Sequence, residues 1–151
     1  MSLSTEIFVL CDHASISQDQ KLSIIGIFDQ FFMANLPATW PRMYLVAVIK
    51  GDADKEETIT LKVTPPSPAE ASGEGGQIGT QKLPDKEIKI KLGPNGKANL
   101  ITELVHFPLP SPGIYKFEIL GGKNLVGELS FTVNKTTATY NGDQFGKKVV
   151  N

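Results

Sequence analysis

The chain has 151 residues, and its 15 Lys plus Arg against 16 Asp plus Glu leave a formal net charge of −1. That length suits a single domain that buries enough surface to stand without a disulfide or a structural metal. The charge balance argues against a surface for nucleic acid or an anionic membrane as the main partner, and Arg42, the only arginine, excludes an arginine cluster for phosphate or carboxylate.

Hydrophobic residues recur with period two in short segments separated by Pro, Gly and Asp. Glu6 to Cys11 is almost wholly apolar and reads as a strand covered on both faces. The polar run Asp12 to Lys21 reads as a connection. Leu22 to Phe28 is a second strand, which Asp29 to Met33 prolongs, and Gly26 within it marks a bulge or a close approach of another backbone. Asn35 to Pro41 holds Pro37 and Pro41, each of which removes a ladder donor, so this stretch is expected to cross between sheets.

Met43 to Ile49 is apolar on both faces and reads as a central strand, followed by a turn at Gly51 to Asp54. Thr58 to Thr64 turns Ile59, Leu61 and Val63 inward, and Glu87 to Leu92 does the same with Ile88, Ile90 and Leu92. Pro65 to Thr80 is rich in Pro, Ser, Gly and Glu and is expected to be a long surface loop. Asn95-Gly96 supplies the positive φ of a tight turn before a two-faced strand at Asn99 to Phe107.

Gly113 to Val133 is a hairpin. Tyr115, Phe117 and Ile119 alternate with Lys116 and Glu118; after the turn at Gly121 to Asn124, Leu125, Gly127, Leu129, Phe131 and Val133 are expected on one face. These elements predict an all-β fold, an antiparallel β-sandwich of immunoglobulin-like or related type, with about eight strands and little or no helix. Residues 1–133 form the domain, and 134–151 are expected as a loosely held tail clasped by Tyr140 and Phe145. A tyrosine such as Tyr115 beside a corner can use its hydroxyl to hold a connection.

Chemistry-bearing residues are sparse. Cys11-Asp12-His13 brings three metal-capable side chains together, but the only other histidine is His106, and Cys11 ends an apolar strand without the elbow or cation that activates a thiol. The acidic stretch Asp52 to Glu57 lacks the Asp alternation and closing Glu of a calcium loop. No metal or organic cofactor is expected. Asp29 shares a face with Ile25, Ile27 and Phe31, and a carboxylate there calls for a partner, for which Arg42 is the expected choice. Phe31, Phe32, Met33, Leu36 and Trp40 crowd ten positions; they either cap the open end of the core or form a binding or dimer patch.

The segments Leu10-Cys11-Asp12-His13-Ala14, Lys21 to Asp29, Leu36-Pro37 and Pro41-Arg42, with the Gly113 to Phe117 hairpin start, resemble a family of small uncharacterised bacterial proteins. The resemblance implies a stand-alone bacterial β-sandwich in which Asp12, Gly26, Asp29 and Arg42 belong to the pattern. Where that family often carries Gly before the Lys, this chain has Gln20.

The expected function is a non-enzymatic binding or interaction module. Its partners are a protein or small ligand, not nucleic acid or membrane, and a homodimer is among the expected assemblies. The candidate polar and interaction residues are Asp12, Asp29, Arg42, Phe32 and Trp40. The rivals are a structural component of a larger assembly, such as a phage-derived or surface apparatus, and an enzyme using Asp12, Asp29 and a His from another strand. One lone thiol, no secretory leader pattern and no run of roughly 18 apolar residues make the cytoplasm the expected location.

Overall fold

A computed structural model describes residues 2–66 and 84–136. Among them are nine strands and no helix: β1 (Ser4–Ile16), β2 (Leu22–Phe28), β3 (Gln30–Met33), β4 (Ala38–Lys50), β5 (Glu56–Thr64), β6 (Lys86–Lys91), β7 (Lys97–Leu109), β8 (Gly113–Gly121) and β9 (Asn124–Lys135). They form a four-stranded sheet in the order β2-β1-β4-β7 and a five-stranded sheet in the order β3-β9-β8-β5-β6. Every pairing is antiparallel except β3 with β9, which is parallel. The fold is thus an all-β sandwich. The expected loop beyond Pro66 and the clasp by Tyr140 and Phe145 lie outside the described residues.

The core is the space between the sheets. Leu10, Met43, Leu45, Ala47, Ile49 and Leu100 face Ile59, Leu61, Val63, Tyr115, Phe117, Ile119, Phe131 and Val133. At one end the contents are aromatic. Phe31 stacks on Trp40 with ring centroids 4.1 Å apart, lies 4.7 Å from Phe28 and meets Phe131 edge-on at 5.6 Å. Phe131 stacks on Tyr115 at 5.0 Å, and Phe107 joins both. Offset and edge-on pairs of this kind add to what their buried area contributes.

Several sequence expectations change. β1 runs on to Ile16, because Ala14 and Ile16 pair with Ile24 and Leu22 and extend the hairpin. The connection shrinks to the turn at Ser17–Lys21, closed by Ser17 N–H donating to Lys21 O at 2.9 Å. Gln20 sits there at φ 68, the left-handed region glycine enters freely. Asp29 to Met33 does not prolong β2. The chain bends at Asp29, and β3 joins the opposite sheet as an edge strand beside β9, which makes the count nine rather than about eight.

The crossover is also shorter than Asn35 to Pro41. After a cis Leu36-Pro37 bond, β4 begins at Ala38 and includes Pro41. The proline is tolerated because β1 pairs with β4 only from Tyr44 onward, so residues 38–42 have one neighbour, and no pairing bridges Pro41. In the last hairpin the register shifts between Ile119 and Leu120, and this bulge reverses the pleat. Leu125 is therefore turned out, 51% exposed, while Val126 is buried. β9 reaches Lys135, two residues past the boundary read at Val133.

The corner before β8 is held as the sequence suggests. The Tyr115 hydroxyl donates to Ser111 O at 2.7 Å and accepts from Ser111 N–H at 3.3 Å. Burial raises the phenol above its ordinary range, so it stays a neutral donor. Tyr115→Phe leaves both Ser111 backbone groups without this partner, and urea denaturation is expected to show a loss of about 1–2 kcal/mol with the fold retained.

Candidate interaction face

Both faces of the four-stranded sheet are apolar. Ladder partners place Cys11, Tyr44, Glu103 and Ile27 in one row of its outward face. Val9, Val46 and Ile101 form the next row, and Ile7, Val48 and Asn99 a third. Cys11, Ala14 and Val46 form a second apolar cluster, separate from the core, with Val9, Leu22, Ile24, Tyr44 and Ile101 packed against it. Around this cluster large apolar side chains reach solvent: Ile27 is 62% exposed, Val105 51% and Ile7 37%. The outward face of the five-stranded sheet is of the ordinary kind. Thr58, Thr60, Lys62, Lys89 and Ser130 occupy it, and Lys116 meets Glu128 at 3.2 Å.

Two irregularities crease the apolar sheet at one end. Opposite Asp12 the ladder is missing, and Gly26 takes φ 72. A Cβ on Gly26 would stand 2.4 Å from the nearer Asp12 carboxylate oxygen. The close approach read from the sequence is therefore that of a side chain, not of a backbone. Cys11 and Ala14, three residues apart, share one cluster, which means the pleat changes phase between them. In β4 and β7 the same happens at Pro41 and His106, the latter at φ 54. Beyond that point Trp40 and Phe107 join the core, whereas Arg42 and Val105 face outward.

The candidate residues do not converge on one site. The Arg42 guanidinium pairs with Glu103 at 2.8 Å, the two being diagonal neighbours on β4 and β7. Asp29 is not its partner: β1 lies between β2 and β4, and Asp29 stands at the bend into β3, where its carbonyl accepts from Thr132 N–H at 3.0 Å. Trp40 packs against the core through Phe31, so the start of β4 caps the sandwich end. Phe32, on the opposite side of β3 from Phe31, is 63% exposed and separate from that cap.

Cys11 is fully buried. Burial raises its thiol above the ordinary range, and its Sγ contacts are the carbonyls of His13 at 3.4 Å and Tyr44 at 3.7 Å. That is the setting of a small packed hydrophobe, not of a thiolate nucleophile. His13 packs edge-on against Tyr44, with ring centroids 5.2 Å apart. No three of His, Cys, Asp and Glu gather as a metal-holding group among the described residues. A cleft of about 670 Å³ near Leu3, Gly122 and Leu125 contains Lys55 and Glu57, paired at 3.0 Å. No helix among the described residues is long and apolar enough to cross a membrane.

The two-faced character of β1, β4 and β7 is legible in the sequence, whereas the places of Ile27, Val46 and Val105 on one shared face are not. The signal was present in the near absence of charge on alternate positions of Ile7 to Cys11 and Tyr44 to Val48.

Two measurements check this geometry. Gly26→Ala is expected to cost about 1–2 kcal/mol from its left-handed backbone alone, and Asp12→Ala, by removing the obstructing carboxylate, to recover part of the remaining loss in a double-mutant cycle. Cys11 is expected to react with Ellman's reagent roughly 100-fold more slowly in the native protein than in urea.

Solved structures are similar in fold. Part of an alkylpurine DNA glycosylase from Pseudomonas fluorescens matches with a TM-score of 0.50 at 9% identity, over 87% of this chain and 30% of that one. A beta-glucosidase from Listeria innocua matches at 0.47 and 10% identity, over 91% of this chain and 16% of that one. An immunoglobulin-like protein from Pseudomonas aeruginosa matches at 0.46 and 17% identity, over 89% of this chain and 98% of that one. The chain spans under a third of the glycosylase and under a fifth of the glucosidase, and at these identities the likeness is one of fold alone. No curated protein matches the chain. The model of a family of unknown function, DUF6941, matches residues 6–134, from β1 almost to the end of β9, and the chain belongs to that family.

Proposed function

We propose that the protein is a non-catalytic interaction module whose contact surface is the outward face of the four-stranded sheet. The observation that supports this is the contrast between the two outward faces. An antiparallel sheet with one wet face alternates apolar and polar residues, as β5 and β6 do. β1 and β4 instead present Ile7, Val9, Tyr44, Val46 and Val48 on the side away from the core. Contiguous apolar surface of this kind, rimmed by polar residues, marks a contact site in soluble proteins. The charged groups on this face stand as ion pairs, Arg42 with Glu103 and Lys97 with Glu6, beside Lys50, and are arranged for neither acid–base nor nucleophilic work.

A photoreactive benzoylphenylalanine in place of Ile27 tests the reading in living cells. Protein adducts are expected from position 27 and not from the same probe replacing Lys62 on the polar face. Equal labelling from both positions, or none from either, overturns it.

A further inference from the structure

We propose that the occupant of this face is a second copy of the chain, packed sheet against sheet about a two-fold axis. The inference rests on the interaction-face reading above and names its partner.

Size is the first argument. The 13 residues each of β1, β4 and β7 and the seven of β2, rising about 3.3 Å per residue on strands about 4.8 Å apart, give a face of roughly 700 Å². A standard stable interface takes about 800 Å² from each partner. The face is therefore close to the size a dimer needs.

Charge is the second. On this face Arg42 pairs with Glu103 and Lys97 with Glu6, and Lys50 stands beside Lys97 at one end, so little net charge is left to repel its own image. A two-fold axis lying between the facing sheets, parallel to β4 and β7, brings Arg42 of one copy toward Glu103 of the other, and the pair can exchange partners between copies. A strongly charged partner has little here to steer it.

Shape is the third. Sheets of the same twist stack at about −30°, as the two sheets of a sandwich do, and two copies of one face have the same twist by construction. A two-fold contact uses one self-complementary patch and closes on itself without propagating. Ile27 and Val105 would lie on opposite flanks of the contact and be covered on association.

Sedimentation velocity of the full chain over a hundredfold concentration range tests the proposal. A reversible species of twice the 16.4 kDa chain mass is expected. Ile27→Asp with Val105→Asp is expected to weaken it at least tenfold while the melting curve stays close to wild type, because both side chains are already half exposed or more. Arg42→Glu is expected to weaken it too, and adding Glu103→Arg to restore it. A single 16.4 kDa species at every concentration, or a dimer indifferent to all these substitutions, overturns the proposal.

Crosslinking through position 27 in a mixture of isotopically light and heavy protein then separates the two readings. Mixed-label adducts support the dimer. In a monomeric protein, adducts within one chain overturn the dimer and the interaction face together. A monomer free of adducts that still labels another protein in cells overturns the dimer alone.

Discussion

Phe131 sits where the two sheets are joined. Its ring meets Phe31, Phe107, Tyr115 and Phe117, at centroid distances from 5.0 to 6.1 Å. Those rings come from β3, β7 and β8, so one side chain sees both sheets and the strand that changes sides. The bend at Asp29 sends Phe31 across to that cluster, and Trp40 then closes over it from the start of β4. The crossover, the proline-bearing start of β4 and the tyrosine-held corner before β8 are all arranged around this one packed knot. A sandwich without a disulfide needs such a centre, because nothing covalent fixes how its sheets are aligned.

Away from the knot the four-stranded sheet departs from a solvated layer. Its second apolar cluster, around Cys11 and Val46, gives the sheet hydrophobic packing on both sides. The crease through Asp12–Gly26 and Pro41–His106 divides labour along the strands. On one side of it Arg42 and Val105 face out; on the other Trp40 and Phe107 face in. A left-handed residue on each of β2 and β7 accomplishes this without changing the ladder register.

Much of the fold was legible because period two is a direct imprint of the pleat. The inward set Ile59, Leu61 and Val63 and the turn at Asn95-Gly96 follow from local pattern alone. What local pattern missed came from long-range effects. Asp29 looked like a carboxylate needing Arg42, but strand order puts β1 between their strands and gives Arg42 to Glu103 instead. Leu125 and Val126 exchanged roles because a bulge has no sequence signature beyond a nearby glycine. Pro41 argued against a strand only because the partial edge at the start of β4 depends on where β1 stops. The outward apolar face was visible as two-faced strands, yet its continuity across β1, β4 and β7 appears only once they are laid side by side.

The short parallel strand β3 has a consequence for edge-to-edge growth. By lying along β9 it closes one margin of the five-stranded sheet with only four residues of its own. The other margin is β6, where Lys86, Lys89 and Lys91 make strand addition by another chain electrostatically costly. On the second sheet, Gly26 breaks β2 midway, and His106 and Pro108 disrupt the end of β7. Each margin is thus blunted by a different device, which guards a β protein with an apolar outward sheet face against fibrous polymerisation.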